Sequence, residues 1–478
     1  MLNHGCAPSG LLNAILHPIP KNKRKSLNDS ENYRAIALSS VIGKLLDWMI
    51  LSENRSVLDT SNLQFGFKPE CSTTHCSFAI TECINYYQRG GTDVHLVMLD
   101  ATKAFDRIEY VKLFTLLINR GLCPLICRLL LDMYVNQNMK VVWGDSKSRP
   151  FGCTNGVKQG GVLSPILFGV YIDELIKKLE ASGFGCYIGT NFIGAAAYAD
   201  DIALLAPTAA SMSKLLNVCS LFSNEYNVLF NPSKSVLINF MQSNYVNEPT
   251  IYFGGERLKC ALFHKHLGTY IGVNVNQLNM CDHIRKFNAE VNIIMSQFKH
   301  VYSTTKYRLF KTYCMPLYGC QLWDFSGSEV GKFFTAWRKA VRYIWNLPYT
   351  SHSALLHLIC TDLDIECQLH KRFLKFFYKM YHSDNYVTTF LARLALGGSR
   401  SSVCNSLNFI LSKYRLLKSN FQCYDFYELL QSVKSALDPA GNRTASLVRE
   451  LCMIRDGELH SNFSRAECDM CIAHLCTA

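Results

Sequence analysis

Two apolar stretches of the chain run straight into carboxylates. Val94-His95-Leu96-Val97-Met98-Leu99 is rich in Val, Leu and Met and ends on Asp100. Such a run suits a strand buried on both faces, which puts the aspartate at a strand end. Phe192 to Ala197 and Ile202 to Ala206 are two further apolar stretches, the second stopped by Pro207, and between them lies Tyr198-Ala199-Asp200-Asp201. The pattern predicts two short strands joined at the acidic pair. Neighbouring side chains on a straight strand point to opposite faces. Both aspartates can therefore approach one site only where the chain turns, at a hairpin tip.

A helical period governs other regions. In Lys332 to Trp345, Phe333, Trp337, Ala340, Val341 and Ile344 form an apolar stripe, with Lys332, Lys339 and Arg342 opposite. Residues near 113–136 and from about 348 to 478 also read as helical. Ser164-Pro165 before an apolar stretch reads as a helix start, with serine as the cap and proline at the first position. Neither an internal repeat nor a low-complexity linker is visible.

The carboxylates carry the chemistry. An Asp-Asp pair by itself is most often a solvated turn, but apolar flanks on both sides argue otherwise here. Burying an unpaired carboxylate is costly, so three of them need a counter-charge, and a divalent cation is the natural one. Two hard cations held about 3.5–4 Å apart can clamp a phosphoryl transfer. Magnesium takes oxygen ligands and keeps some waters, so few protein carboxylates suffice.

Further motifs arrive in order along the chain. Asn32-Tyr33-Arg34-Ala35-Ile36-Ala37-Leu38 is followed by Gln64-Phe65-Gly66-Phe67-Lys68, with Ser72-Thr73-Thr74 behind it. Leu99-Asp100-Ala101-Thr102-Lys103-Ala104-Phe105-Asp106 comes next, then Asn155-Gly156-Val157-Lys158-Gln159-Gly160-Gly161-Val162-Leu163-Ser164-Pro165. The Tyr198 to Asp201 box, Asn231-Pro232-Ser233-Lys234 and His266-Leu267-Gly268-Thr269-Tyr270-Ile271-Gly272 complete the series. From about Pro18 to about Gly272 the chain resembles the reverse transcriptase of a non-LTR, LINE-like retrotransposon.

The resemblance implies an α/β (α+β) right-hand polymerase with an antiparallel-sheet palm, helical fingers and thumb, and a helical C-terminal extension. Residues 1–92 would be fingers lacking their N-terminal part, and 93–275 palm, with a fingers insertion near 113–136. Residues 276–347 would be thumb or connection helices, and 348–478 a helical region without a motif tied to chemistry. Asp100, Asp200 and Asp201 would hold two Mg2+ ions, for which Mn2+ is a conceivable substitute. Phe105 would sit beneath the incoming sugar and collide with a 2′-hydroxyl. Read alone, it is a plain core aromatic. Gln159 and Gly160 would line the nucleotide and template pocket, beside Tyr198. Lys234 would serve departing pyrophosphate, and Arg34 and Lys68 would grip triphosphate or template. His266 to Gly272 would steady the primer end, or be a hairpin with no direct role. The chain departs from the family at Ala35, where proline is common, and at Lys68 and Lys158, where arginine is usual.

The implied activity is RNA-directed DNA synthesis from dNTPs on a DNA or RNA primer, with an RNA template. Nothing resembles an endonuclease, so a nuclease supplied separately or encoded upstream would be a partner. The alternative is a decayed or domesticated RNA-binding protein of the same fold. A maturase-like splicing helper is a third reading.

Composition agrees with these readings without deciding among them. Lys+Arg outnumber Asp+Glu by 49 to 37, giving +12, which suits a partner rich in phosphates. At 478 residues and 49% hydrophobic content, the chain can bury cores in several subdomains. Lys21-Asn22-Lys23-Arg24-Lys25 reads as a solvated charge run that could touch nucleic acid or act as a nuclear signal. No apolar run is long enough for a membrane span, and no signal-peptide pattern opens the chain. The 21 cysteines therefore read as reduced thiols of an intracellular protein, nuclear or cytoplasmic and not secreted. The tail from Cys468 to Cys476 offers Cys-x2-Cys-x2-His-x-Cys, too tight for the usual tetrahedral zinc spacing. Ser464-x-x-Glu467 is a capping box. The tail is thus expected as a short helix with Cys468, Cys471, Ile472 and Leu475 on one face, rather than a zinc knuckle.

Overall fold

The computed structural model describes residues 1, 4–242, 249–398, 401–416, 443–459 and 464–477. The chain divides into two compact units, Met1–Leu267 and Gly268–Ala478.

Two sheets organise the first unit. One joins β1 (Asn13–Pro20), β2 (Tyr33–Ser39) and β4 (Asn138–Trp143), with β1 antiparallel to β2 and parallel to β4, and is completed by the two-residue strands Ser146–Lys147 and Phe151–Gly152 on β4. Alternation along β1 turns Ala14 and Leu16 inward, where they pack with Ala37 and Met139. This strand set adds to the helices expected over residues 1–92. The other sheet contains β3 (Val94–Leu99), β5 (Ala195–Tyr198), β6 (Asp201–Ala206), β7 (Val236–Phe240) and β8 (Lys259–Cys260). Its order is β5-β6-β3-β7-β8, antiparallel except that β8 runs parallel to β7. Every residue of β3 is buried, as its unbroken apolar run predicts.

The longer helices of this unit are α1 (Val41–Glu53), α2 (Thr73–Arg89), α3 (Tyr110–Asn119), α4 (Pro124–Val135), α5 (Ser164–Ala181) and α6 (Ala209–Tyr226), of which α2, α5 and α6 pack on the sheet that holds β3, β5 and β6. The helical reading of 113–136 matches α3 and α4. Helix α1 buries Gly43 and Ile50 and exposes Val41, Ile42, Leu45, Trp48 and Met49. Helix α5 begins differently from expectation. Ser164 is its first helical residue, not its cap, and the capping position, Leu163, makes no side-chain cap bond. A buried ion pair anchors α5: Asp173 meets Arg120 at 2.6 Å and accepts a 2.6 Å bond from the Ser61 N–H.

The second unit is helical after the strand Thr269–Gly272. Helices α7 (Asn276–Gln297), α8 (Ser303–Tyr313) and α9 (Glu329–Ile344) share an aromatic core in which Phe287 meets Phe310 and Phe333. The stripe of α9 is buried as its period predicts. Helices α10 (Ser353–Ile359), α11 (Ile365–Tyr381), α12 (Tyr386–Leu396), α13 (Ser402–Lys413), α14 (Arg443–Arg455) and α15 (Arg465–Thr477) follow. Ser464 and Glu467 close a reciprocal capping box on α15. Cys468, Ile472 and Cys476 are buried on its inner side. No group of three metal-ligating side chains is gathered among the described residues, there or elsewhere, and no described helix is long and apolar enough to cross a membrane.

When Arg120 is removed, Asp173 keeps Lys177 at 3.5 Å and the Ser61 N–H, so what is lost is one charge-assisted hydrogen bond. Arg120→Met is expected to lower unfolding stability by about 1.5–3 kcal/mol, measured by urea denaturation.

Candidate active site

Strand register brings the site together. Ile202 pairs with Leu99 in the antiparallel β6–β3 ladder. One step further along the same register, Asp201 falls opposite Asp100. Val236 pairs with Met98 in the β7–β3 ladder; before it, residues 232–234 form a turn that carries Lys234 beside Asp100. Cross-strand neighbours lie about 4.5–5.5 Å apart at Cα, so Asp201 and Asp100 sit side by side at adjacent strand ends. Tyr198 pairs with Asp201, which leaves Ala199 and Asp200 as the two-residue hairpin tip. The acidic pair is thus split: Asp200 belongs to the turn and Asp201 opens β6. Phe192, expected in the same strand as Ala197, lies in a separate two-residue strand.

The segment around Asn231 is tied to Asp100. Asn231 N–H donates to the Asp100 carbonyl at 2.8 Å, and Ser235 N–H and Oγ both donate to the Asn231 carbonyl. Lys234 Nζ stands 3.9 Å from Asp100 Oδ2, with both side chains well exposed.

The acids repel one another. Burial, then Asp200 and Asp100, pushes the Asp201 carboxyl up to about 6. Burial also raises Asp200; Asp100 adds to the rise, while the Asp200 N–H and Arg34 offset part of it. Among the described residues no three His, Cys, Asp or Glu side chains are gathered closely enough to hold a metal ion, these aspartates included. As oxygen donors they suit hard cations, which keep waters and take further oxygens from a substrate.

A cavity of about 680 Å³ opens over Asp100 and Asp200. Arg34, Phe105, Gln159 and Lys234 line it with them. So do Ala35, Lys103 and Asp106, and also Lys21 and Lys25 from the basic run. The Phe105 ring stacks on Phe168 with centroids 4.2 Å apart and planes 10° apart, and meets Phe67 edge-on. It is therefore fixed yet faces the cavity. Burial raises the Asp106 carboxyl, against Lys103, Lys21 and a hydrogen bond with the Gln159 side chain.

Residues 155–163 lie close against two neighbours. Gly156 has φ +86, and a Cβ there would come 2.8 Å from Asp106 Cα. Gly160 has φ +111, and its Cβ would sit 2.7 Å from the Ala37 carbonyl oxygen. The Ala37 N–H donates to the Gln159 carbonyl at 2.6 Å. Glycine permits both the left-handed backbone and the approach.

Lys68 stands elsewhere. Its ammonium donates to the carbonyls of Thr60 and Ser61 and pairs with Asp59 at 3.3 Å, and it does not line the cavity. Expected to grip triphosphate or template, Lys68 here pins two loop segments together. His266 is buried, with no hydrogen-bond partner on either ring nitrogen. Burial and His264 push it down to about 4.

The hairpin tip has a brace that the sequence pattern did not single out. Gln64 Oε1 accepts from Gly66 N–H at 2.8 Å and from Ala199 N–H at 3.1 Å. Phe65 N–H donates to the Ala197 carbonyl, and Ala197 N–H to the Leu63 carbonyl. A Cβ on Gly66 would come 2.4 Å from the Ala199 nitrogen. Gln64 and Gly66 stood in a motif, but only the folded chain shows that their target is the acidic turn.

Comparison with known proteins agrees with this geometry. The family model described as reverse transcriptase (RNA-dependent DNA polymerase) matches residues 19–275. The chain is 24% identical over 248 residues to the Retrovirus-related Pol polyprotein from type-2 retrotransposable element R2DM of Drosophila melanogaster, covering 51% of this chain and 23% of that protein. It is 28% identical over 236 residues to a Pol polyprotein from type-1 retrotransposable element R2 of Popillia japonica, covering 48% of this chain and 32% of that protein. The RNA-directed DNA polymerase from mobile element jockey of Drosophila funebris is 22% identical over 396 residues, covering 77% of this chain and 40% of that protein. The chain thus spans well under half the length of each. Among solved structures, telomerase from Candida albicans aligns with 90% of this chain and 65% of its own, at 11% identity and TM-score 0.40.

Gln64→Leu leaves two buried N–H groups without their acceptor. It is expected to destabilise the protein by about 2–4 kcal/mol and to speed exchange of the Ala199 amide, read by hydrogen–deuterium exchange. A pH test follows from Asp201. Its folded-state pKa lies above the unfolded value of about 3.9. The penalty of ionising it is therefore absent below pH 4, grows from 4 to 6 and is complete above. Asp201→Asn is expected to stabilise the metal-free protein at pH 8 by about 1 kcal/mol, after discounting for solvent screening, and to give no gain at pH 4. Urea unfolding in EDTA at both pH values measures this.

Proposed function

The chain belongs to the reverse transcriptase (RNA-dependent DNA polymerase) family, and from that premise we propose that it extends a primer 3′-hydroxyl with deoxynucleoside triphosphates on an RNA template. The observation that carries the reading is the meeting of Asp100 with the Asp200-Asp201 turn at adjacent strand ends, where Asp100, Asp200 and Lys234 line a cavity together with Arg34, Phe105 and Gln159. A clamp that only bound RNA would gain nothing from carboxylates turned toward phosphate.

Asp100, Asp200 and Asp201 would hold the two magnesium ions. When bound, these ions supply a lowered pKa at the attacking hydroxyl and charge compensation at the leaving oxygen. The protein's own groups do the rest. Arg34 offers a planar, bidentate donor to the triphosphate. Lys234, exposed beside Asp100, gives charge or a proton to departing pyrophosphate. The fixed ring of Phe105 blocks space for a 2′-hydroxyl. Gln159 and Gly160 face the pairing base, where glycine lets backbone come close and the glutamine amide both donates and accepts. The basic face of α9 suits contact with a duplex backbone. The template would be the RNA of a non-LTR element, the primer DNA or RNA, and the nick-making endonuclease a separate or upstream activity. The cysteines, none of them in a disulfide among the described residues, suit a reducing intracellular compartment.

On poly(rA) primed with oligo(dT), with dTTP and magnesium, the protein is expected to extend the primer. The Asp200→Ala, Asp201→Ala double variant is expected to lose this activity while keeping its RNA affinity. Folded wild-type protein that binds RNA but extends nothing would favour a catalytically silent RNA clamp.

A further inference from the structure

One cation of the cavity wall, Lys103, has no part in the chemistry above. It stands three residues after Asp100, between the short strand Ala101–Thr102 and the helical turn Ala104–Arg107. Its backbone is left-handed, with φ 51 and ψ 40. A residue other than glycine seldom adopts that conformation, and those that do cluster at active sites and ligand clamps. The Lys103 ammonium meets Glu31 Oε1 at 2.7 Å. Both residues line the cavity with Asp100, Asp200 and Arg34.

The loop between β1 and β2 holds Glu31 in place. Buried Asn32 closes that loop from within. Its side-chain amide donates to the Asn22 and Ser26 carbonyls at 2.9 and 3.2 Å, and its Oδ1 accepts from the Asn22 N–H at 3.1 Å. Lys21 Nζ donates to the Glu31 carbonyl at 2.9 Å, and the Glu31 N–H donates to Asp29 Oδ1 at 2.9 Å. A well-tied loop thus presents one carboxylate to the turn that follows Asp100. The contact itself is exposed: the Lys103 and Glu31 side chains keep 47% and 62% of their surface. An ion pair so exposed holds weakly. A triphosphate brings several charged oxygens to the same ammonium, and such charge-assisted bonds are strong ones.

We propose that Glu31 is a built-in stand-in for phosphate: it keeps Lys103 at the cavity until a nucleotide arrives and then yields that ammonium to the triphosphate. The inference rests on the polymerase reading and deepens it. Lys103 is then a nucleotide-binding residue, and Glu31 competes with the nucleotide for it. Removing the two therefore acts in opposite directions on nucleotide affinity. A brace between loop and turn would lose affinity in both cases.

The test uses the full chain in primer extension on poly(rA) and oligo(dT), with Lys103→Met, Glu31→Gln and the double variant. Lys103→Met is expected to raise the KM for dTTP about tenfold, with kcat changed by less than about twofold. Glu31→Gln, which keeps the shape and drops the charge, is expected to lower that KM about threefold. The double variant is expected to match Lys103→Met alone, because without the ammonium nothing is left to compete for. A KM raised by Glu31→Gln, or unchanged in either single variant, overturns the proposal. If wild type extends no primer, the polymerase reading fails instead. Isothermal titration with dTTP and magnesium then decides the exchange. Binding that is tighter than wild type in Glu31→Gln and weaker in Lys103→Met upholds it. Any other order, or no binding by wild type, overturns it.

Discussion

Mutual repulsion among carboxylates is the constraint on which the rest of the first unit depends. Asp100, Asp200 and Asp201 are drawn together by strand register, and nothing in their own chemistry favours the meeting. Apolar burial along β3, β5 and β6 supplies the opposing free energy. Each of those strands is nearly all Val, Leu, Ile, Met and Ala, and a one-residue slip would send every side chain to the wrong face. The cost of gathering charge is thus met by strands that have one low-energy pairing.

Two loops then finish what the sheet begins. One, around Gln64, ties the hairpin tip through backbone bonds and a single amide oxygen. The other, from Asn155 to Leu163, is laid against the Phe105 turn and the β1–β2 sheet. Both rely on backbone meeting backbone. The cavity wall is tied by such bonds where it carries Gln159 and Phe105, and open where Lys21, Lys25 and Lys234 reach solvent.

Much of this was legible in the sequence, for a physical reason. An unbroken apolar run ending on a carboxylate is unusual, so the sequence alone was enough to predict that Asp100, Asp200 and Asp201 stand at strand ends and a turn, where the fold places them. The helical stripe of α9 and the capping box before α15 were equally plain, because each depends on local spacing. What could not be read depends on long-range contact. Lys68 matched a motif by position, but its partners, Asp59, Thr60 and Ser61, are set by how the chain folds back. Gln64 acts on Ala199, more than a hundred positions away, and no local pattern encodes that. Ser164 met every rule for a helix cap, yet it is the first residue of α5 and the capping position makes no side-chain bond. The strands β1 and β2 were hidden because one is exposed along an edge and the other carries two prolines.

Gly66, Gly156 and Gly160 share one property: a first side-chain carbon on any of them would come within 2.4–2.8 Å of backbone atoms. In a glycine codon, every change to the first or second base introduces a side chain or a stop. At these positions the genetic code offers no gentle step, and only third-base changes are silent. A copy of this gene released from selection would therefore lose its catalytic architecture at these three codons as readily as at the aspartates themselves. Intact glycines at all three are a mark of a reading frame whose product still has a fold to protect.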